Sequence, residues 1–247
     1  MPHWLEDGSD WGEEGPELEL DSLMIRVLNL RHKSLALFGE IDATAPETIE
    51  KAKAIAIEAD AVDRDLIAWP WILPQNWNFE VTSTESQPTG STIGPAIFPR
   101  HIYASVGHAA IWNRYRALRL IANSIHQRSL LAFQSLMKEE LLGITLRMCQ
   151  ENIDALAGEM CSGVQFQVNF RTHAGGLETI MGEGYRTSFD VLPGMAGCLA
   201  WPLTVAVSIE YVPDLEKTWL KSALRAVARA LGHTLLESVS DQGEFRF

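Results

Sequence analysis

The stretch IWNRYRALRLIANSI (111–125) decides the fold. Its apolar residues recur at intervals of four and three, which is the period of one face of an α-helix. They are Ile111, Tyr115, Leu118, Ala122 and Ile125. The pattern predicts an amphipathic helix from about residue 102 to 126.

The helical period continues on both sides of this stretch. Further helices are predicted at 20–38, 46–69 and 142–160, in an apolar segment at 191–209, and at 214–231. Thr44, Pro46 and Glu47 resemble a capping box, and Gly39 and Gly232 supply helix stops. Only VQFQVNF (164–170) alternates weakly, as a strand does. The chain is therefore predicted to be all-α, an irregular multihelical array with long connecting loops.

The predicted organisation is one helical domain behind an acidic tail. Residues 1–19 contain seven acidic residues and no Lys or Arg, so we expect a loose, self-repelling tail. Residues 20–240 form the domain. The run 81–99 is rich in Ser, Thr, Pro and Gly, which predicts a surface loop between two helical groups.

Charge and cysteine content narrow the class of protein. The formal net charge of −12 opposes autonomous binding to phosphate backbones or anionic lipid. The three cysteines, Cys149, Cys161 and Cys198, lack the dense spacing of a disulfide scaffold and fit a reducing compartment. The start of the chain lacks the basic and apolar regions of a secretory signal. These features favour a soluble intracellular protein.

The uncharged segment 191–209 approaches the length of a membrane span. It contains Pro193 and Pro202, and it is flanked by Asp190 and Glu210, where a span would carry Lys or Arg. We therefore expect a buried core helix and no membrane association.

Motifs that carry chemistry are missing from the sequence. No Cys or His pair has the spacing of a zinc site, and Gly182-Glu183-Gly184 is a lone G-x-G. His173-Ala174-Gly175-Gly176 faintly resembles an oxyanion-hole loop, but no G-x-S-x-G occurs. We predict no catalytic residue, cofactor site or metal site.

Two sets of charged residues have ordinary explanations. Asp63 and Asp65 lie on different faces of a helix and are interpreted as solvated charges. Arg114, Arg116 and Arg119 form the densest basic cluster, interpreted as a solvated or salt-bridged face. Arg116 and Arg119 are three residues apart, so they could also pair with buried acids from a neighbouring helix.

Four segments together resemble a known family. They are RDLIAWPWILPQNWNF (64–79), HIYASVGHAAIWNRYRALRLIAN (101–123), GCLAWPLTVA (197–206) and PDLEKTWLKSALRAVARALG (213–232). In this order they resemble the C-terminal regulatory region of fungal Zn2Cys6 zinc-cluster transcription factors, the fungal-specific transcription factor domain. The resemblance runs from about Asp21 to Ser238.

The resemblance implies architectural roles for several large or polar residues. Trp112, Trp201 and Trp219 would anchor helix crossings, and Pro202 would bend the apolar helix. Asn113 and Arg116 would tie helix ends or carboxylates inside the array. The family's six-cysteine zinc cluster and basic linker are missing from this sequence, so no direct DNA binding is expected from this chain alone.

The leading functional hypothesis is a transcription-regulator-like protein in the nucleus, or otherwise in the cytoplasm. It would act through protein partners, such as a full-length zinc-cluster factor or a coactivator, with a small-molecule effector also open. A further hypothesis is that the true product includes an upstream zinc cluster.

The alternative hypothesis is a biosynthetic enzyme of a fungal secondary-metabolite pathway, a cyclase or isomerase that reuses the helical scaffold. Trp69, Trp71, Tyr103 and His108 are its candidate pocket-lining residues, because aromatic rings and a titratable His can shape and protonate an apolar substrate. Core or helix-cap packing is the competing interpretation of the same residues.

Overall fold

The computed structural model describes residues 15–39, 46–82, 98–136, 138–172 and 187–242. These residues confirm the all-α, multihelical fold. Seven α-helices and two short antiparallel hairpins occur in them. The helices are α1 (Pro16–Gly39), α2 (Pro46–Ala68), α3 (Val106–Ala132), α4 (Glu139–Val164), α5 (Pro193–Ser208), α6 (Asp214–Leu231) and α7 (Thr234–Gln242).

The hairpins pair β1 (Glu80–Thr82) with β2 (Arg100–Ile102), and β3 (Asn169–Thr172) with β4 (Thr187–Asp190). The predicted acidic tail and loop lie mostly outside the described residues, as do Thr44 of the capping box and the two Gly-rich motifs at 173–176 and 182–184. Residues 16–19, which the sequence pattern assigns to the tail, form the first turn of α1.

The described residues group into two compact units. Unit 1 contains the described residues up to Gln75, together with Leu118–Ile153. Unit 2 contains Asn76–Ala117 and the described residues from Asp154 onward. Helix α3 therefore begins in unit 2 and ends in unit 1, whereas α4 begins in unit 1 and ends in unit 2.

Unit 1 is built on an antiparallel pair, α1 and α2. Arg26 of α1 pairs with Asp65 of α2, and the later Lys33 pairs with the earlier Glu58, so the two helices run in opposite directions. Their apolar faces are buried as the 3.6-residue period requires. The buried positions include Leu20, Leu23, Val27 and Leu30 on α1, and Ala52, Ile55, Ala59, Val62 and Leu66 on α2.

Helix α3 begins later than predicted, for a local reason. The Ser105 hydroxyl accepts a hydrogen bond from the His108 backbone N–H at 3.1 Å, which caps the helix at its first turn. Residues before the cap belong to β2, where Ile102 pairs with Glu80 and His101 with Val81. Arg100 to Ile102 are thus extended because they complete a hairpin.

Unit 2 contains the most apolar helix and the most amphipathic one. In α5 the buried side chains include Leu199, Leu203 and Val207, and Pro202 lies inside the helix. None of the described helices combines the length and apolar character needed to cross a bilayer. The predicted ends of α6 are confirmed: Asp214 begins it and Gly232, with φ of 65°, caps it in the left-handed conformation.

Candidate functional site

The first part of α3 places a polar cluster in the interior of unit 2. Asn113 and Arg116 are three residues apart on one face of the helix, and both side chains are fully buried. His101 of β2 and the following Tyr103 are each only 4% exposed. A buried guanidinium is costly unless it is paired and hydrogen-bonded, so its partners decide what the cluster does.

The guanidinium of Arg116 is held on all sides. Nη1 donates to the Tyr103 hydroxyl at 2.8 Å and to Asn113 Oδ1 at 3.0 Å. Nε donates to Glu159 Oε2 of α4 at 3.2 Å, and Nη2 lies 3.1 Å from His101 Nδ1. That nitrogen accepts when it carries no proton. Most donors of the fork are therefore committed to contacts within the protein.

Aromatic rings enclose the same guanidinium. Its carbon lies 5.1 Å from the centre of the Phe79 ring and 5.6 Å from that of Trp112. Phe79 also stacks on His101 with centroids 4.1 Å apart. Cation–π contacts of this kind stabilise a cation that has left water. Phe79 is thus an anchor that local sequence spacing did not single out.

Burial shifts the pKa values of His101 and Tyr103 in opposite directions. Burial, with a further contribution from the Arg116 charge, lowers the pKa of His101 to about 3. Burial raises the pKa of Tyr103, although the charge and hydrogen bond of Arg116 oppose that rise. His101 is therefore neutral and Tyr103 a phenol at neutral pH. Neither group therefore exchanges a proton readily with a substrate at neutral pH.

The cluster extends into α4 and the turn after it. Asn113 Nδ2 donates to Gln167 Oε1 at 2.9 Å, while Gln167 Nε2 is buried without a hydrogen-bond partner. A Cβ at Gly163 would lie 2.6 Å from both Arg116 Nη1 and Asn113 Oδ1, and 2.9 Å from the Tyr103 hydroxyl. Only glycine lets α4 approach this closely. The arrangement is a tightly packed structural network.

Unit 1 has its own polar contacts between helices. Arg119 of α3 makes a two-point ion pair with Asp63 of α2, and both side chains are largely buried. The interpretation of Asp63 as a solvated charge is therefore wrong, whereas Asp65 is half exposed and pairs with Arg26. Only the tertiary fold shows that Asp63 faces α3.

One buried cysteine of unit 1 lies beside a histidine. Cys149 Sγ lies 3.5 Å from His126 Nδ1, the geometry of a Cys–His pair. Burial, followed by Asp63 and Asp60, raises the pKa of Cys149 to about 11, and burial lowers the pKa of His126. The thiolate is thus disfavoured. Burial also raises the pKa of Cys161.

No group of three or more metal-ligating side chains occurs in the part of the chain that the structure describes.

The pocket-lining candidates of unit 1 have opposite environments. Trp69 is 1% exposed, and its Nε1 donates to the Pro16 carbonyl at 2.8 Å. Trp71 is 86% exposed and so lines no interior space. The two environments differ because Trp69 and Trp71 lie in the 3-10 turn Trp69–Ile72, which Pro70 initiates where α2 ends.

The two pocket-lining candidates of unit 2, Tyr103 and His108, contact different residues. Tyr103 belongs to the Arg116 cluster. The His108 ring lies against Trp77 with centroids 4.9 Å apart, and its Nδ1 is buried without a hydrogen-bond partner. His108 is the one candidate with an uncommitted titratable nitrogen among the described residues.

The anchor residues also lie in unit 2. Trp112 Nε1 donates to the Trp77 carbonyl at 2.8 Å, and Trp219 makes an edge-to-face contact with Phe98 at 6.0 Å. Pro202 is buried within α5, and its neighbour Trp201 is partly exposed. Sequence spacing does not identify His101, Glu159, Gly163 or Gln167, because each joins the Arg116 cluster from another element.

A separate feature of unit 1 is an exposed apolar face at the start of α4. Leu141, Ile144 and Met148 are 55%, 47% and 57% exposed. Their spacing of three and four puts them on one side of the helix. None of the residues from 139 to 148 is buried. We call Leu141, Ile144 and Met148 the α4 face.

Comparisons with models of known protein families, with curated protein sequences and with solved structures find no match for this chain.

Proposed function

We propose that this chain is a transcription-regulator-like protein that acts through protein partners, without a DNA-binding module of its own. The α4 face carries the proposal. Contiguous exposed apolar side chains on one side of a helix are typical of protein–protein interaction sites. A partner helix with an apolar stripe could bury Leu141, Ile144 and Met148 together.

The polar interior supports a regulatory role more than a catalytic one. Burial lowers the pKa of His101 and raises the pKa of Tyr103, and it also raises the pKa values of Cys149 and Cys161. Catalysis needs a group whose pKa lies near the working pH, or an activated nucleophile. His101, Tyr103 and the two buried cysteines therefore act as structural contacts within their own units.

The charge of the chain supports action through a partner that itself holds DNA. At −12 the whole chain repels a phosphate backbone. A nuclear zinc-cluster factor is the partner that the sequence resemblance suggests. The proposed chain would then modulate the output of that factor.

A tethering experiment tests the proposal. The chain is fused to a heterologous DNA-binding domain and scored on a reporter gene in fungal cells. We expect the fusion to change transcription, and the triple variant Leu141→Ser, Ile144→Ser, Met148→Ser to lose that change. A matched control is Ile57→Ser with Ile67→Ser, which removes apolar side chains that are 70% and 44% exposed on α2. A fusion with no effect, or a triple variant as active as the parent, contradicts the proposal.

His108 favours a second candidate function, a cyclase or isomerase. Its buried Nδ1 has no hydrogen-bond partner and lies beside an indole, an arrangement that suits proton transfer to an apolar substrate. The test is conversion of metabolites extracted from the producing cells by the purified protein. Product that forms with the parent and is lost with His108→Asn supports this candidate, and no conversion by the parent contradicts it.

A further inference from the structure

Helix α6 carries an unusual arrangement of cations. Lys217, Lys221, Arg225 and Arg229 follow one another at intervals of four residues. The rise of 1.5 Å per residue spreads them over about 18 Å of helix. The opposite face is buried through residues that include Trp219, Leu220, Ala223, Leu224 and Val227. We call these four cations the α6 ridge.

The same spacing is used differently elsewhere in the chain. On α2, Glu47 pairs with Lys51 and Asp60 with Arg64, so residues four apart have opposite charge and stabilise the helix. On α6 each step of four joins two cations, which destabilises an isolated helix. This repulsion occurs in a chain of net charge −12, where acidic residues outnumber basic ones.

The helix dipole and contacts within the chain stabilise only some of the four cations. The helix dipole favours Arg229, because it lies in the last turn, but not Lys217 near the opposite end. Lys217 Nζ donates to the Ile209 carbonyl at 2.9 Å. Burial lowers the pKa of Lys217 and the neighbouring Lys221 lowers it further, while Glu210 and Asp214 oppose this. Lys221 and Arg229 have no ion pair within the described residues.

The surroundings of the ridge limit what can bind to it. Asp214 and Glu216 precede it on α6, and Glu237 follows on α7. With carboxylates before and after the ridge in the sequence, and a net charge of −12 on the chain, a long polyanion is disfavoured. Leu215, in the first turn of α6, and Leu235, in the first turn of α7, are 55% and 69% exposed. The chemistry fits a short anionic segment that also carries large apolar side chains.

We propose that the α6 ridge binds an acidic segment of a partner protein, with carboxylates interleaved with large apolar residues. This deepens the proposed function, on which it rests, by naming the chemistry of one partner. The carboxylates would accept charge-assisted hydrogen bonds from Lys221 and Arg229, and the repulsion along the ridge would fall on binding. The charge of the ridge sets the association rate and the specificity.

The test is a binding titration with the full chain. The probe is a fluorescein-labelled synthetic peptide in which Glu residues alternate with Leu and Trp, and its matched control has every Glu replaced by Gln. We expect the Glu peptide to bind, to weaken as salt is raised, and to bind at least about tenfold more weakly to the double variant Lys221→Gln, Arg229→Gln. The Gln peptide should bind no more tightly to the parent than to that variant.

A second variant controls for total charge. Lys51→Gln with Lys53→Gln removes two cations from α2, where both are paired with carboxylates. It should bind the Glu peptide like the parent. Equal affinity in the parent and the α6 double variant would overturn the proposal. So would tighter binding of a mixed-sequence duplex DNA than of the Glu peptide, since that would make the ridge a phosphate site.

The result of the peptide titration can be distinguished from the result of the reporter experiment that tests the proposed function. If peptide binding does not depend on the ridge while the tethered reporter still responds to the α4 face, only the ridge proposal is overturned. If binding depends on the ridge but the tethered fusion leaves transcription unchanged, the transcriptional role falls and the acidic partner stands.

Discussion

Arg119 on α3 and Asp63 on α2 meet in a two-point ion pair, with Nε 2.8 Å from Oδ1 and Nη2 3.2 Å from Oδ2. The side chains are 14% and 11% exposed. Both ends of the carboxylate are thus used, which fixes the register of the two helices in unit 1.

We expect Asp63→Asn to lower the free energy of unfolding by about 3 kcal/mol, because it removes the charged carboxylate from a largely buried two-point ion pair. Urea denaturation followed by circular dichroism measures this. The control Asp65→Asn removes an acid that is 53% exposed and should cost under about 1 kcal/mol. Equal losses in the two variants would contradict a special role for the Asp63 pair.

Gly163→Ala should destabilise unit 2 by about 1–3 kcal/mol through overpacking, because the new Cβ would collide with Arg116 and Asn113. The matched variant is Gly158→Ala on the same helix, where a Cβ meets nothing within 4 Å. It should stabilise α4 by about 0.5–1 kcal/mol, since alanine favours the helix. Thermal melts of the two variants therefore shift in opposite directions, and a shift in the same direction would refute the packing argument.

His101 gives the stability a specific dependence on pH. Its pKa falls from 6.5 when unfolded to about 3 in the folded protein, so the unfolded state binds the proton more readily. The contribution of neutral His101 is complete above pH 6.5 and is lost progressively as the pH falls toward 3. His101→Asn keeps an acceptor for Arg116 but does not titrate. The parent should lose more stability than this variant between neutral and acidic pH, and parallel losses in urea denaturation would count against the assignment.

The cysteines should differ sharply in reactivity. Cys198 is exposed, whereas Cys149 and Cys161 are buried with raised pKa values. Because the thiolate is the reactive form, only Cys198 should react rapidly with Ellman's reagent in the native protein at mildly alkaline pH. Cys198→Ser should abolish the fast phase, and urea should release the other two thiols. A fast phase that survives Cys198→Ser would show that a buried thiol is accessible.

Local signals predicted the helices well. Gly232 marked the end of α6 because a glycine adopts the left-handed cap without strain, and Asp214 marked its start. Pro70 marked the end of α2 through its effect on the preceding residue. Helix α7 was missed, since its nine residues contain too few apolar positions to display a period.

The contacts between elements could not be predicted in the same way. Arg116 and Arg119 were expected to pair with acids if they were buried, but their partners lie 43 and 56 residues away in sequence. No local sequence pattern marks Gly163. The residues that leave no room for a side chain there, Arg116 and Asn113, belong to another helix. Spacing reveals which face a residue occupies, whereas the identity of its neighbour depends on the tertiary fold.

The division of α3 and α4 between the two units also affects how this protein can be rearranged in evolution. Two boundaries lie in the middle of helices, between Ala117 and Leu118 and between Ile153 and Asp154, and another lies between Gln75 and Asn76. Each unit therefore draws on separate stretches of the gene. A single internal deletion or premature stop therefore cannot remove all of one unit and leave the other whole, because each unit is built from separated segments of the chain.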